Sequence, residues 1–309
     1  MIPSHWITEL PRAMTTATQH LKNGDIVPAF GILGSGMTDI WANAYALGQV
    51  DRAIAVVREH ELFEIAHQDP YSHRAYNKPR GYAGDAVMMD YVYAGVAAED
   101  TTNLGKAVFA GTTRGSMGLS VLFRRQLLTA CINEVVSSRT DFKILSVASG
   151  HCREIEGSLL GNPTLAKAGR LVAFDQDEES CNTIKRDYSD YPVDVVCANV
   201  RKLLASRESS LGKFDLIYSA GLFDYLTDPV AEKLVAAMAT MLKPGGKLLV
   251  GNFAPSSNGR GYMELFLDWK LIYRDAAQLC KLFGVHAAST NSFLDPHGNV
   301  VYAECRWPS

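Results

Sequence analysis

The chain lacks most of the features that mark a membrane, secreted or nucleic-acid-binding protein. No apolar run approaches the ~20 residues needed to span a bilayer. The start, Met1-Ile2-Pro3-Ser4-His5-Trp6, has neither the charged region nor the apolar stretch of a secretory leader. It therefore reads as cytoplasmic, without membrane insertion. An excess of one charge sign is missing too. Thirty Lys and Arg stand against 33 Asp and Glu, a net charge of −3. No broad cationic surface is available for phosphate, so no nucleic-acid partner is expected. The six cysteines (Cys131, Cys152, Cys181, Cys197, Cys280, Cys305) include no CxxC pair and no Cys/His set at metal-ligand spacing. All six are expected to be reduced and structural, and no metal is expected. There is no Ser/His/Asp pattern, no GxxxxGK phosphate loop and no complete GxGxxG fingerprint.

What remains is a chain of 309 residues, 47% hydrophobic and 20% charged. That is ordinary globular composition, sized for one large domain or a catalytic domain with an extension. Its two halves differ in rhythm. Residues 1–140 read mostly as helix, with apolar residues at three- and four-residue spacing over 40–50, 51–64 and 118–138. Residues 69–90, rich in Tyr, His, Arg, Gly and Pro, read as a loop laid over something. From 141 to 309, short apolar runs at 143–148, 170–174, 193–197, 214–219 and 247–253 alternate with helical segments at 153–160, 178–188, 200–206 and 229–241. That alternation predicts an α/β domain: a parallel sheet with helices on both faces. Lys243-Pro244-Gly245-Gly246 predicts a turn before the fifth strand. Runs at 285–293 and 299–307 are joined by Leu294-Asp295-Pro296-His297-Gly298, too short for a crossover helix. Those two strands should be antiparallel, giving a seven-stranded sheet.

The chemistry-bearing residues fall at strand ends. Strand one ends in Val147-Ala148-Ser149-Gly150-His151-Cys152, a small-residue turn that lets a ligand approach the backbone. Strand two ends in Phe174-Asp175-Gln176-Asp177, where an acid can accept two ribose hydroxyls. Strand three ends in Asn199-Val200, a polar and an apolar residue able to hydrogen-bond and cover an adenine. Strand four ends in Ser219-Ala220-Gly221-Leu222-Phe223-Asp224. All four ends lie on the carboxyl edge, where open α/β sheets bind ligands.

These motifs resemble the class I S-adenosylmethionine (SAM)-dependent methyltransferase domain, whose fold is a Rossmann-like seven-stranded sheet with an antiparallel last strand. The resemblance implies SAM as cofactor. Ser149 and Gly150 would face its methionine part, Asp175 its ribose, Asn199 and Val200 its adenine, and Ser219 with Gly221 its floor. Ala148, Gln176 and Leu222 complete the cofactor side. The chain departs from the family at Ser146, where an acid is usual, and at Ala148 and Cys152, which replace glycines. A second resemblance rests on Asp69-Pro70, Lys78-Pro79-Arg80-Gly81-Tyr82-Ala83-Gly84-Asp85, Met88-Met89-Asp90, Met263-Glu264 and Asp268-Trp269-Lys270-Leu271-Ile272-Tyr273-Arg274. These are similar to a bacterial methyltransferase subfamily with a helical N-terminal extension, which includes a 3-hydroxypalmitic acid carboxyl methyltransferase. It implies that residues 1–140 form a helical acceptor-binding or lid region.

Gly81 and Gly84 permit backbone geometry that other residues resist, and Pro79 stiffens the entry to the loop. Arg80, Tyr82, Arg114, Trp269, Tyr273 and Arg274 are the candidate acceptor-binding residues. Arg80 and Asp85 could equally form an internal pair. On a helix, Trp269 and Tyr273 would share a face, and core packing explains them as well. Candidate catalytic groups are His151, Asp224 and Tyr82. A carboxylate acceptor, ionised at neutral pH, needs no base, whereas an amine or phenol does. The expected reaction is O-methylation of a small molecule, with a carboxylate favoured; N- or C-methylation, a SAM-binding protein without catalysis, and a nicotinamide-dependent oxidoreductase are the alternatives. Partners are the methyl acceptor and, for a homodimer, a second copy of the chain.

Overall fold

The structure, a computed structural model, describes residues 5–166, 168–205 and 211–307. Residues 1–4 of the start read above and the last residue of the expected helix at 200–206 lie outside them. The chain divides into two compact units: one holds the chain up to Val121 together with Ser256–Lys270, the other Leu122–Pro255 with Leu271–Ser309. The division thus falls inside the helix Ser116–Ser138 rather than at residue 140, and a short late segment belongs to the first unit.

The first unit is helical. Its opening helix, Trp6–Asn23, buries Trp6, Leu10, Met14, Ala17 and Leu21 along one stripe and stops at Gly24, whose φ of 81° provides the left-handed C-cap. The expected single helix over 51–64 is two, Val50–Glu59 and Glu61–Ala66. His60 separates them in an extended conformation and accepts the Leu62 N–H on Nδ1. Residues 69–90 are not all loop. Asp69 caps the helix Pro70–Asn77, with proline at its first position, and Asp85 caps Ala86–Ala94. Only 78–85 between them is irregular. Periodicity missed these helices because their polar faces carry the Tyr, His and Arg that read as loop.

The second unit is a seven-stranded sheet. Its strands are β1 (Lys143–Val147), β2 (Arg170–Asp175), β3 (Val193–Cys197), β4 (Phe214–Ser219), β5 (Leu242–Phe253), β6 (Asn291–Leu294) and β7 (Val300–Arg306). Their order is β3-β2-β1-β4-β5-β7-β6. The first five are mutually parallel, and β7 runs antiparallel to both β5 and β6. The order reverses between β1 and β4, the switch point where open α/β sheets bind ligands. One face packs Leu145, Val172, Phe174, Ile217, Leu248 and Val250 against Leu234, Val235 and Met238 of the helix Asp228–Thr240.

Three local expectations differ. Lys243–Gly246 is a bulge inside β5: Phe214 pairs with Leu242, and Leu216 already pairs with Lys247. Trp307 donates to Gly246 O and accepts from Gly245 N, so sheet bonding holds the turn residues. The crossover at 153–160 is two 3-10 turns, Arg153–Ile155 and Leu159–Gly161, not an α-helix. Of the expected strand at 285–293, only Asn291–Leu294 forms, after the 3-10 segment Gly284–Ser289. No helix among the described residues is long and apolar enough to cross a membrane.

Candidate active site

Register brings the four strand ends to one edge. Val147 pairs with Phe174, Asp175 with Cys197, Ser146 with Tyr218 and Ser219 with Val250. The chain leaves β1 through three alternating left-handed residues, Ala148, Gly150 and Cys152, with φ of 55°, 54° and 55°. Two of the three are not glycine, so the turn keeps a glycine-rich backbone path without the glycines. Each left-handed L-residue costs about 1–2 kcal/mol, the kind of local strain that gathers at functional sites.

Asp175 locks this turn to β2. Its Oδ2 accepts the Gly150 N–H at 2.8 Å and its Oδ1 the Asp177 N–H at 2.9 Å. Burial holds its carboxyl above the usual range, against the pull of those amides. Each oxygen retains acceptor capacity beyond its one amide. Ser149 Oγ is shielded from solvent and has no hydrogen-bond partner among the described residues. At the next strand end, Asn199 donates to Gln176 Oε1 at 2.5 Å and accepts the Arg201 N–H. Two of the expected cofactor residues are therefore joined side chain to side chain. Val200 lies partly buried against the sheet core. Ser219, buried, donates to Val147 O at 2.9 Å, tying β4 to β1. Gly221 and Leu222 follow at the same edge, Leu222 packed against the core.

Beneath the turn lies a polar cluster with no obvious local signal in the sequence. Glu154, 6% exposed, accepts from the Tyr218 hydroxyl at 2.6 Å and from the Cys152 thiol at 3.5 Å. Burial pushes both the tyrosine and the thiol well up. A carboxylate under the turn thus exists, although Ser146 stands where an acid was expected. Arg124, also unforeseen, donates to Ala220 O at 2.9 Å. Only the assembled fold reveals these pairs, whose partners lie 64 and 96 residues apart.

The catalytic candidates differ in setting. His151 is buried within the turn. Asp224 is 3% exposed, and its Oδ1 accepts the Phe253 N–H at 2.7 Å. Burial drives its carboxyl up to about 7, against the pull of the Phe253 amide, Arg124 and Arg274. Tyr82 belongs to the other unit, half-buried in the irregular 78–85 segment.

The acceptor candidates are dispersed. Arg80 is half-buried in the 78–85 segment. That segment is pinned at both ends: Lys78 pairs with Asp268 at 2.7 Å, and Asp85 with Arg74 at 2.7 Å. The partner of Asp85 is therefore Arg74. Arg114 donates to Val92 O at 2.8 Å and covers Gly95, where an added Cβ would meet its guanidinium. Trp269 is buried, and its backbone N–H donates to Met263 O at 2.9 Å. It does not share a helix with Tyr273, because the helix Arg260–Phe266 ends before both residues and Asp268 turns left-handed with φ 47°. Arg274 is a correction. It spends its five donors within its own unit, on Asp228 twice and on Phe223 O, Asn252 Oδ1 and Leu226 O, leaving none for an acceptor. Among the described residues no His/Cys/Asp/Glu group could hold a metal.

A family model described as "Methyltransferase domain" matches residues 156–246. A possible exported protein from Bordetella parapertussis has a similar fold, with a TM-score of 0.58 and 17% identity over 73% of this chain and 80% of that one. The N-methyltransferase NodS from Bradyrhizobium japonicum WM9 gives a TM-score of 0.43 at 16% identity, over 61% of this chain and 98% of its own. Magnesium protoporphyrin IX methyltransferase from Synechocystis PCC 6803 gives 0.43 at 14%, over 62% and 84%. No curated protein matches the chain. The sheet order is Rossmann-like, and within it residues 156–246 are similar to a methyltransferase domain.

Proposed function

We propose that this chain is a SAM-dependent methyltransferase of a small-molecule acceptor, transferring the methyl group to oxygen, with a carboxylate as the favoured acceptor. One observation carries the cofactor assignment: the Asp175 carboxylate is fixed on the backbone of the strand-one turn, beside the buried Ser149 Oγ, which has no hydrogen-bond partner among the described residues. A nucleoside offers two ribose hydroxyls to such an acid, and a methionine carboxylate or ammonium offers a partner to the serine and the turn amides. When bound, SAM supplies a methyl group on a sulfonium, displaced in line to leave a neutral thioether.

The protein's share of the reaction is to hold and align. Ala148, Ser149 and Gly150 border the methionine end, Asp175 and Gln176 the ribose, Asn199 and Val200 the adenine, and Ser219, Gly221 and Leu222 the floor. Alignment alone can supply a large part of the acceleration of a displacement. The helical unit is the acceptor-binding region in this reading, with Arg80, Tyr82, Arg114 and Trp269 as its candidate contacts. A fatty-acid-like carboxylate of the 3-hydroxypalmitate kind fits the narrower likeness of its 78–90 segment. Arg80 or Arg114 would pair with that carboxylate through its forked donors.

A base is dispensable for such an acceptor. Asp224, with its carboxyl near 7, favours the second reading, a nitrogen or carbon acceptor that must lose a proton. Labelled methyl transfer from SAM into a metabolite extract, with products identified by mass, separates them. The favoured reading expects a methyl ester, and His151→Ala and Asp224→Asn variants that retain most of the rate. A methylated amine, with a loss of several orders of magnitude in either folded variant, would contradict it.

A further inference from the structure

Two of the six cysteines lie beside Asp175. Cys197 ends β3 directly opposite Asp175 in the sheet register, and its side chain is exposed. Cys181, buried in the first turns of the helix Glu178–Asp187, donates its thiol toward Asp175 O at 3.6 Å. Asp175 O, which the Cys181 thiol approaches, also accepts the N–H of Ala198, the residue that follows Cys197, at 2.8 Å. Neither thiol touches the Cys152 cluster beneath the strand-one turn, and the mechanism above uses neither.

We propose that Cys181 and Cys197 are a redox modification site, closing into a reversible disulfide when a hydroperoxide reaches the exposed thiol. The peroxide O–O bond breaks on Cys197 Sγ, which becomes a sulfenic acid while the alcohol leaves (water, for hydrogen peroxide). The Cys181 sulfur then attacks that atom. An S–S bond forms, the S–O bond breaks, and the departing hydroxide leaves as water with the Cys181 proton. Two thiols and one hydroperoxide thus give one disulfide, one alcohol and one water. Exposure decides the order, because oxidation follows access and thiolate character. Burial and the neighbouring thiol push Cys181 up to about 12, so it is not the thiol that meets the peroxide first.

The disulfide removes the thiol donor from Asp175 O and draws the end of β3 toward the helix. Ala198 N also donates to Asp175 O, at 2.8 Å, and Asn199 follows it on the Gln176 contact. Oxidation therefore disturbs the ribose and adenine positions together, a consequence that rests on the cofactor reading above.

The test treats the full chain with hydrogen peroxide, maps disulfides by mass on unreduced peptides and titrates SAM by calorimetry before and after. The expected result is a Cys181–Cys197 linked peptide, a loss of SAM affinity of at least about tenfold, and recovery on adding dithiothreitol. Cys197→Ser should form no such link and keep its affinity under peroxide. Peroxide treatment that yields no Cys181–Cys197 peptide would overturn the site. A quantitative link with unchanged SAM affinity would overturn its effect on the cofactor edge. If the reduced protein binds no SAM, the cofactor reading fails, and the peptide map still decides the disulfide.

Discussion

The helical unit and the sheet unit bury polar groups for different ends. In the helical unit they begin helices. Asp69, fully buried, accepts from Tyr71 N, Ser72 N, Ser72 Oγ and Thr112 Oγ1, and Ser72 Oγ is shared with the Tyr262 hydroxyl. Asp85 caps the next helix and holds Arg74. Trp41 Nε1 donates to Glu264, whose other oxygen receives Arg260, itself stacked 3.7 Å over the Trp41 ring. In the sheet unit four buried polar groups instead gather after strand ends: Asp175, Ser219, Asp224 and Glu154. The first arrangement fixes helix starts with donors to spare. The second leaves acceptor capacity and strain at one edge, which is where a ligand can be recognised.

The sharpest test of that contrast compares two arginines that sequence spacing treated alike. Arg274→Ala removes five hydrogen bonds from a guanidinium only 2% exposed. It should destabilise the fold by about 3–5 kcal/mol, the range for breaking a buried charged network, read by denaturant unfolding. Arg80→Ala should change stability by less than about 1 kcal/mol and act on acceptor KM. Equal stability losses would erase the distinction.

Two buried carboxyls give the next effect. Burial raises Asp224 to about 7 and Asp69 to about 6, Asp69 being restrained by its four donors. A carboxyl whose folded value exceeds its unfolded value near 3.8 keeps its proton longer in the native state. Stability is then greatest below the unfolded value and falls as pH rises through the window from about 4 to 7. The slope is up to about 1.4 kcal/mol per pH unit for each group. Asp224→Asn, whose amide oxygen can still accept the Phe253 N–H, should flatten the profile and stabilise the protein at pH 8. Asp69→Asn leaves one acceptor oxygen for four donors and turns an NH2 against at least one of them, so it should destabilise at every pH. Melting curves across pH check both, and a gain from Asp69→Asn would contradict the account.

The sheet was legible because buried parallel strands write themselves as short apolar runs, and β1 to β4 lie within a residue of the runs at 143–148, 170–174, 193–197 and 214–219. The turn after β1 was legible as small residues. Its backbone was not: Ala148 and Cys152 read as lost glycines, yet both keep the left-handed conformation. Where reading failed, the partner was remote. Nothing near Arg274 announces that Asp228 and Asn252 consume its donors, and Trp269–Tyr273 looks helical until Asp268 breaks the chain direction. Arg80 and Tyr82 were easy to single out by composition, but their work depends on an acceptor that composition does not specify.

A smaller effect follows from the strain. Ala148 is exposed, so Ala148→Gly removes left-handed strain without opening a cavity. It should stabilise the protein by roughly 0.5–1 kcal/mol, strain relief outweighing the flexibility glycine adds to the unfolded chain. Thermal unfolding that shows a loss would mean the turn is not strained. The 79–84 segment, anchored at Lys78 and Asp85, should exchange its amides more slowly once cofactor and acceptor are bound. Identical exchange with and without ligands would remove its role as a lid.

The central claim, that the edge around Asp175 binds SAM, is tested most directly by calorimetry with the wild type and Asp175→Ala. The account predicts one SAM per chain for the wild type, and a loss of roughly 1.5–3 kcal/mol in the folded variant, the range for hydrogen bonds to a charged group. Unchanged SAM affinity in the variant, or a wild type that binds a nicotinamide dinucleotide and not SAM, would contradict it.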